Sequence, residues 1–206
     1  YHSPDFILPP TRPGTRTLLT VHDLSFVRDP GSAAPGLLTY LNDVVPRSVI
    51  RADHVLADSQ ATRADLIELY GTPVDKITVL YCGVEEIFAP VTEPATLGAI
   101  RARYGLGDAP YILAVSTLQP RKNYVRLLEA FAQLPNRELR LVFAGGKGWL
   151  YDSIFAAVER LGLTGRVTFA GFVADADLPA LYSAARVLAY PSLYEGFGLP
   201  MLEAMA

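Results

Sequence analysis

The chain has 206 residues, half of them hydrophobic and 19% charged, with a formal net charge of −3. That length allows one sizeable domain or two small ones with real cores, and the slight acidity excludes a nucleic-acid binder that works through a broad basic face. The single cysteine, Cys82, excludes an internal disulfide framework and suits a reducing compartment. His2, His22 and His54 lie far apart, and neither C-x-x-C nor H-E-x-x-H spacing occurs. No apolar run reaches the ~20 residues of a membrane span, and no basic-then-apolar leader opens the chain. The start, Tyr1-His-Ser-Pro, reads like a domain interior, and Ala206 falls inside an apparent helix. The chain therefore reads as an internal piece of a longer protein.

Short apolar, β-branched runs alternate with helical patterns. Thr17 to Val21 reads as a strand, and Gly36 to Ala52 as a helix interrupted or kinked at Pro46. The long loop from Phe26 to Pro35 lies between them and identifies no ligand. His54 to Ala57 is a second strand, and Asp58-Ser59 caps a helix to about Tyr70 that Gly71 stops. Ile77 to Leu80 is a third strand. Phe88 to Pro94 is proline-bearing and weakly patterned, which suits a linker.

A helix at about Leu97 to Tyr104 then restarts the alternation. Strands follow at Tyr111–Val115, Leu139–Ala144, Val167–Phe169 and Val187–Tyr190. Helices lie between them at Tyr124–Leu134, Trp149–Leu161 and Leu178–Ala185, and a last helix begins at Pro200. Such alternation marks parallel α/β units. Glycines after strands (Gly145, Gly146, Gly171) mark the carboxyl ends where α/β sheets bind ligands.

The segment Glu195-Gly-Phe-Gly-Leu-Pro-Met-Leu-Glu203-Ala-Met-Ala206 carries most of the chemistry. Gly196 to Leu199 reads as a loop, and Pro200 is tolerated in the first turn of a helix. A glycine loop feeding a helix N-terminus offers unpaired N–H groups and a positive dipole end to a phosphate. Two carboxylates, Glu195 at the loop entrance and Glu203 in the helix, suit sugar hydroxyls. Together they describe a nucleotide sugar.

This segment resembles the Glu-x7-Glu motif of retaining GT-B glycosyltransferases, family 4 in particular. The resemblance implies an α/β fold of two Rossmann-like domains, both incomplete here, with boundaries at 1–90 (acceptor side) and 91–206 (nucleotide-sugar side). It further implies a cleft between them, the loss of the first domain's opening strands and the loss of the second domain's final helices.

Five further segments are read beside it. Ser116-Thr-Leu-Gln-Pro-Arg121-Lys122-Asn123 follows a strand and precedes a helix. Adjacent cations there suit a diphosphate. The family's arginine often stands near the start of this loop, where this chain has Ser116 and Thr117. Lys122 carries the family's lysine role, and Arg121 either replaces the arginine or faces solvent. His22 matches the family histidine that faces the donor sugar, while Asp23 orients its ring or contacts acceptor. The resemblance implies that the loop Gly145-Gly-Lys-Gly148-Trp149 lies near the diphosphate and nucleoside, with Gly146 and Lys147 as secondary donor contacts, and that Gly171-Phe172-Val173 lines the base. Asp175-Ala-Asp177 has a metal-holding pattern, but it directly precedes a helix, so Asp177 reads as its N-cap and Asp175 as a solvated neighbour.

The resemblance implies transfer of a hexose from a nucleoside diphosphate to an acceptor hydroxyl with retention. His22, Glu195, Lys122 and Arg121 would act on the reacting groups. Gly146, Lys147, Val173, Gly196, Phe197, Gly198, Leu199 and Glu203 would hold the donor. No metal or other cofactor is expected. The form S-T-L-Q-P-R-K-N with A-G-G-K-G-W looks most like mannosyltransferases of surface polysaccharide pathways, which points to GDP-mannose ahead of a UDP-hexose. The expected partners are that donor and a sugar or lipid-linked sugar acceptor, without nucleic acid. The expected place is the cytoplasm, with at most peripheral contact with the inner face of the membrane. The alternatives are a nucleotide-binding fragment without activity and another Rossmann-type sugar-nucleotide enzyme. The latter lacks its G-x-G-x-x-G in this chain.

Overall fold

A computed structural model describes residues 1–206, the side chain of Pro35 excepted. The chain divides into two compact units, Tyr1–Gly83 with Tyr194–Gly198, and Val84–Leu193 with Leu199–Ala206. Each is a parallel α/β unit.

The first unit carries strands β1 (His2–Ser3), β2 (Leu18–Val21), β3 (His54–Ala57) and β4 (Ile77–Val79), paired in that order and all parallel. Its helices are α1 (Ser25–Arg28), α2 (Pro35–Arg51) and α3 (Gln60–Tyr70). Leu19, Val21, Val55 and Ala57 are fully buried, as expected for parallel strands. Val45 and Val49 of α2 and Leu66 of α3 pack against them.

Ser59 caps α3 by accepting the Thr62 N–H at 3.0 Å, and Gly71 ends it, as the sequence predicts. Pro46 does not interrupt α2, which runs unbroken to Arg51. The buried Val45 and Val49 on either side of Pro46 hold the helix to the sheet, which offsets the hydrogen bond the proline cannot make. The expected loop after Phe26 is partly helical. Asp23 Oδ1 accepts the Ser25 N–H at 2.8 Å and starts α1, and a 3₁₀ turn follows at Pro30–Ser32.

The second unit begins with α4 (Pro94–Arg103), which starts three residues before the expected helix because Pro94 fits its first turn. Next come β5 (Tyr111–Val115), α5 (Tyr124–Ala132), β6 (Arg140–Ala144), α6 (Asp152–Arg160), β7 (Val167–Gly171), α7 (Leu178–Ser183), β8 (Val187–Leu188) and α8 (Leu199–Met205). The sheet order is β7-β6-β5-β8, all parallel.

Side chains of β6 alternate between two helical layers. Leu141 and Phe143 pack with α5 and α6, whereas Val142 and Ala144 pack on the side of α4 and α7. Tyr111 is fully buried on β5 and donates to the Leu181 carbonyl at 2.7 Å, and burial pushes its hydroxyl up to about 12. The last helix starts at Leu199, one residue before the expected Pro200.

Asp177 occupies the N-cap position of α7 but does not cap it. Its carboxylate takes the Tyr104 O–H at 2.6 Å and Arg103 Nη1 at 2.8 Å, a tie to α4 that local sequence cannot reveal. These two partners, Tyr104 first, hold its carboxyl below the usual range. Among the described residues no helix is long and apolar enough to cross a membrane.

Candidate functional site

Parallel register positions the candidate residues of the first unit. Val21 and Ala57 are partners across β2 and β3, so the next residues, His22 and Asp58, leave the sheet side by side. His22 Nδ1 lies 2.7 Å from Asp58 Oδ2, with the ring 43% and the carboxylate 12% exposed. Phe6 meets the ring edge-on at 5.5 Å, and Thr62 Oγ1 donates to the His22 carbonyl at 3.0 Å. The ring's hydrogen bond goes to Asp58 rather than to Asp23, whose Oδ1 accepts the Ser25 N–H at the start of α1. Behind Asp58 lies the half-buried Cys82. Burial pushes its thiol pKa up, and the charge and hydrogen bond of Asp58 add to that.

The loop Glu195–Gly198 belongs to this same unit. A Cβ on Gly196 would overlap the His22 carbonyl and press on Asp23 Cβ, so the loop backbone runs directly against the β2 strand end. Tyr194 anchors its entrance by donating to Asp65. Asp65 also takes Arg28 Nε at 2.9 Å and Nη2 at 2.6 Å, and its side chain is only 7% exposed. Burial, then the Asp65 hydrogen bond, raises the Tyr194 hydroxyl pKa. Phe197 packs near Tyr81, with ring centroids 6.2 Å apart. His22, Glu195, Gly196, Phe197 and Gly198 are thus brought together.

In the second unit, Lys122 closes a 3₁₀ turn after β5 and is buried, its Nζ 5.9 Å from the Tyr190 ring centre. A desolvated ammonium acts more strongly on an anion than one in water. The turn is tied to the chain leaving β8. The Arg121 carbonyl accepts the Leu193 N–H at 2.9 Å, and Asn123 Nδ2 donates to Pro191 O at 3.1 Å. Arg121 and Lys122 are therefore fixed to the segment Pro191–Leu193 of their own unit.

Loops after β5, β6 and β7 surround an open cavity of ≈ 210 Å³ lined by Ser116, Thr117, Gly145, Gly146, Phe172 and Val173. The Gly145 N–H donates to Gly171 O at 2.7 Å, and Ser116 N donates to Ala144 O at 2.9 Å. A Cβ on Gly145 would overlap the Ser116 carbonyl, and its φ of +149° suits glycine alone. Val173 is buried and Phe172 stands 79% exposed at the rim. Asp175 is exposed, as expected, and stands in the lining of this open cavity.

Two expected donor contacts lie elsewhere. Lys147 is exposed, with Nζ 5.1 Å from the ring centres of Tyr151 and Phe155, and does not line that cavity. Glu203 accepts the Tyr182 O–H at 2.6 Å and faces a second cavity of ≈ 300 Å³ lined by Phe88, Pro90, Val91, Pro179 and Ser183. Leu199, the first residue of α8, is 42% exposed. Reading the sequence alone missed Asp58, Tyr194, Asp65 and Tyr190. Only Asp58 left a signal, as the strand-end residue registered with His22.

Residues 98–206 match the model of Glycosyl transferases group 1, and residues 1–86 match that of Glycosyltransferase Family 4. The chain is 35% identical to O-antigen chain mannosyltransferase B of Escherichia coli, over 100% of this chain and 54% of that protein. It is 36% identical to the mannosylfructose-phosphate synthase of Agrobacterium fabrum, over 75% of this chain and 36% of that protein. Its fold resembles Anabaena HepE, solved with UDP and glucose, with a TM-score of 0.74 and 27% identity over 92% of this chain and 50% of HepE. The chain spans about half the length of the first of these relatives and of HepE.

Proposed function

Because the chain belongs to the glycosyl transferases of group 1, we propose that the whole protein moves mannose from GDP-mannose to an acceptor hydroxyl in the synthesis of a surface polysaccharide, with retention of anomeric configuration. The observation that carries this reading is the seating of the Glu195–Gly198 loop on His22 within one unit. A carboxylate-bearing glycine loop seated beside a part-exposed imidazole supports a reading in which both meet one sugar.

Charge develops on the leaving diphosphate, and fixed cations stabilise it without proton transfer at that site. Lys122 supplies that charge, assisted by Arg121 and by the N–H groups at the start of α8. Glu195 holds hexose hydroxyls and His22 hydrogen-bonds the same sugar. The leaving phosphate takes the acceptor proton. Gly146 and Val173 line the base site, and Glu203 turns from Tyr182 to the ribose when donor binds. The reaction needs no divalent metal. The acceptor is a sugar or lipid-linked sugar, met at the inner face of the cytoplasmic membrane by peripheral contact alone. Mannose rests on the names of the two curated relatives, while HepE was solved with a uridine nucleotide.

Calorimetric titration with GDP, UDP and ADP tests the donor. GDP is expected to bind tightest, and clearly tighter UDP binding removes the mannosyl reading. Transfer from GDP-mannose by the whole protein is expected to survive excess chelator. Loss with chelator and recovery with Mg²⁺ or Mn²⁺ would overturn the charge assignment.

A further inference from the structure

We propose that Asp58 is a positioning residue that fixes His22 with its proton on Nδ1, leaving Nε2 as an acceptor for a hydroxyl of the bound sugar. The role of His22 toward sugar rests on the reading above, whereas the tautomer does not.

Three observations carry the assignment. The β2–β3 register delivers the two residues side by side, so their pairing is built into the sheet rather than into a flexible loop. The 2.7 Å contact goes to Nδ1, and a carboxylate can only accept, so Nδ1 must donate. Asp58 is largely buried while the ring is 43% exposed, so the carboxylate faces the protein and the imidazole remains open to a ligand. Every other polar neighbour leaves the ring free to serve this purpose. Asp23 is spent on Ser25, and Thr62 holds the His22 carbonyl rather than the ring. The packing of Phe6 against the ring restrains it from another side. An imidazole held through one nitrogen presents the other in a fixed direction and chemical state. A hydroxyl donating to a bare Nε2 is then oriented, and a competing Nε2–H form would repel the same proton.

The test reads the tautomer directly. Protein labelled with ¹⁵N-histidine gives long-range ¹H–¹⁵N correlations, and His22 is assigned by its loss in His22→Gln. In its neutral form His22 is expected to show a protonated Nδ1 and a bare Nε2. In Asp58→Asn the side-chain amide can donate to Nδ1, and the Nε2–H form is expected to rise several-fold. In the whole protein this variant is expected to lose at least about tenfold in kcat, short of the ~10²–10³ typical of deleting a group that contacts the transition state. Its affinity for GDP, which does not touch His22, stays near that of the parent. A parent protein with Nε2 protonated overturns the proposal, and so does an Asp58→Asn variant that keeps the parent tautomer. If Asp58→Asn fails to fold, the parent spectrum alone decides. Because the tautomer is read without substrate, its failure is distinct from failure of sugar transfer.

Discussion

Gly145 and Gly196 face the same steric demand in different settings. Each presses its Cα side against a backbone carbonyl at a strand end, Ser116 for Gly145 and His22 for Gly196. Gly145 does so between loops of adjacent strands in one sheet, and with φ of +149°. Gly196 meets a carbonyl 174 positions earlier in the chain, and its own backbone shows no such φ. The first contact is part of how β5 and β6 end, so fold and site share it. The second brings a carboxylate-bearing loop to a histidine.

Substitutions can break this contrast. Gly145→Ala is expected to have the largest effect, about 3 kcal/mol of stability in urea unfolding, because neither the Ser116 backbone nor the positive φ can relax cheaply. Gly196→Ala should cost less than Gly145→Ala, since no positive φ adds to the overlap with the His22 carbonyl, while turnover in the whole protein falls about 10²-fold as the loop is pushed away, because displacements near 1 Å cost that much. If Gly196→Ala unfolds the protein as Gly145→Ala does, the loop is structural and the contrast fails.

Smaller effects sharpen it. Lys122→Ala should weaken nucleoside-diphosphate binding by about 1.5–3 kcal/mol, the worth of a hydrogen bond to a charged group, and free nucleoside far less. Equal losses for both would place Lys122 in the base pocket or in folding.

Asp177→Asn touches neither glycine and should cost about 1 kcal/mol at neutral pH. The carboxyl of Asp177 is held low in the fold, so its contribution is present above its unfolded titration near pH 4 and is lost as pH falls through the lower folded value. Parent and variant should therefore converge in stability as pH falls through that lower folded value. A gap that persists there would mean that the charge of Asp177 is not what stabilises.

The fold was largely legible, because hydrophobic periodicity and strand-end glycines report local geometry. The Leu141–Ala144 alternation and the Ser59 cap were readable for that reason. Pro46 does not break α2, because tertiary packing of Val45 and Val49 outweighs a lost helix hydrogen bond. Asp177 misled because its partners, Tyr104 and Arg103, lie more than 70 positions away. In the site, motif residues were visible, but their supports were not. Tyr194 looks like any loop tyrosine until Asp65 of α3 is seen beneath it. Lys147 and Glu203 were assigned by position in a motif, whereas rings of α6 and the Tyr182 hydroxyl decide where they point in this structure.

The chain's only thiol also sits beside this site. Cys82 adjoins Asp58, and Asp58 holds His22. A native reporter is therefore already in place, with no cysteine to remove and none to introduce in these 206 residues. Since burial and the Asp58 carboxylate keep the thiol protonated, alkylation at neutral pH should be slow. A thiol-reactive fluorophore installed there at higher pH would stand two residues' interactions away from the imidazole, where it could follow the arrival of sugar in real time.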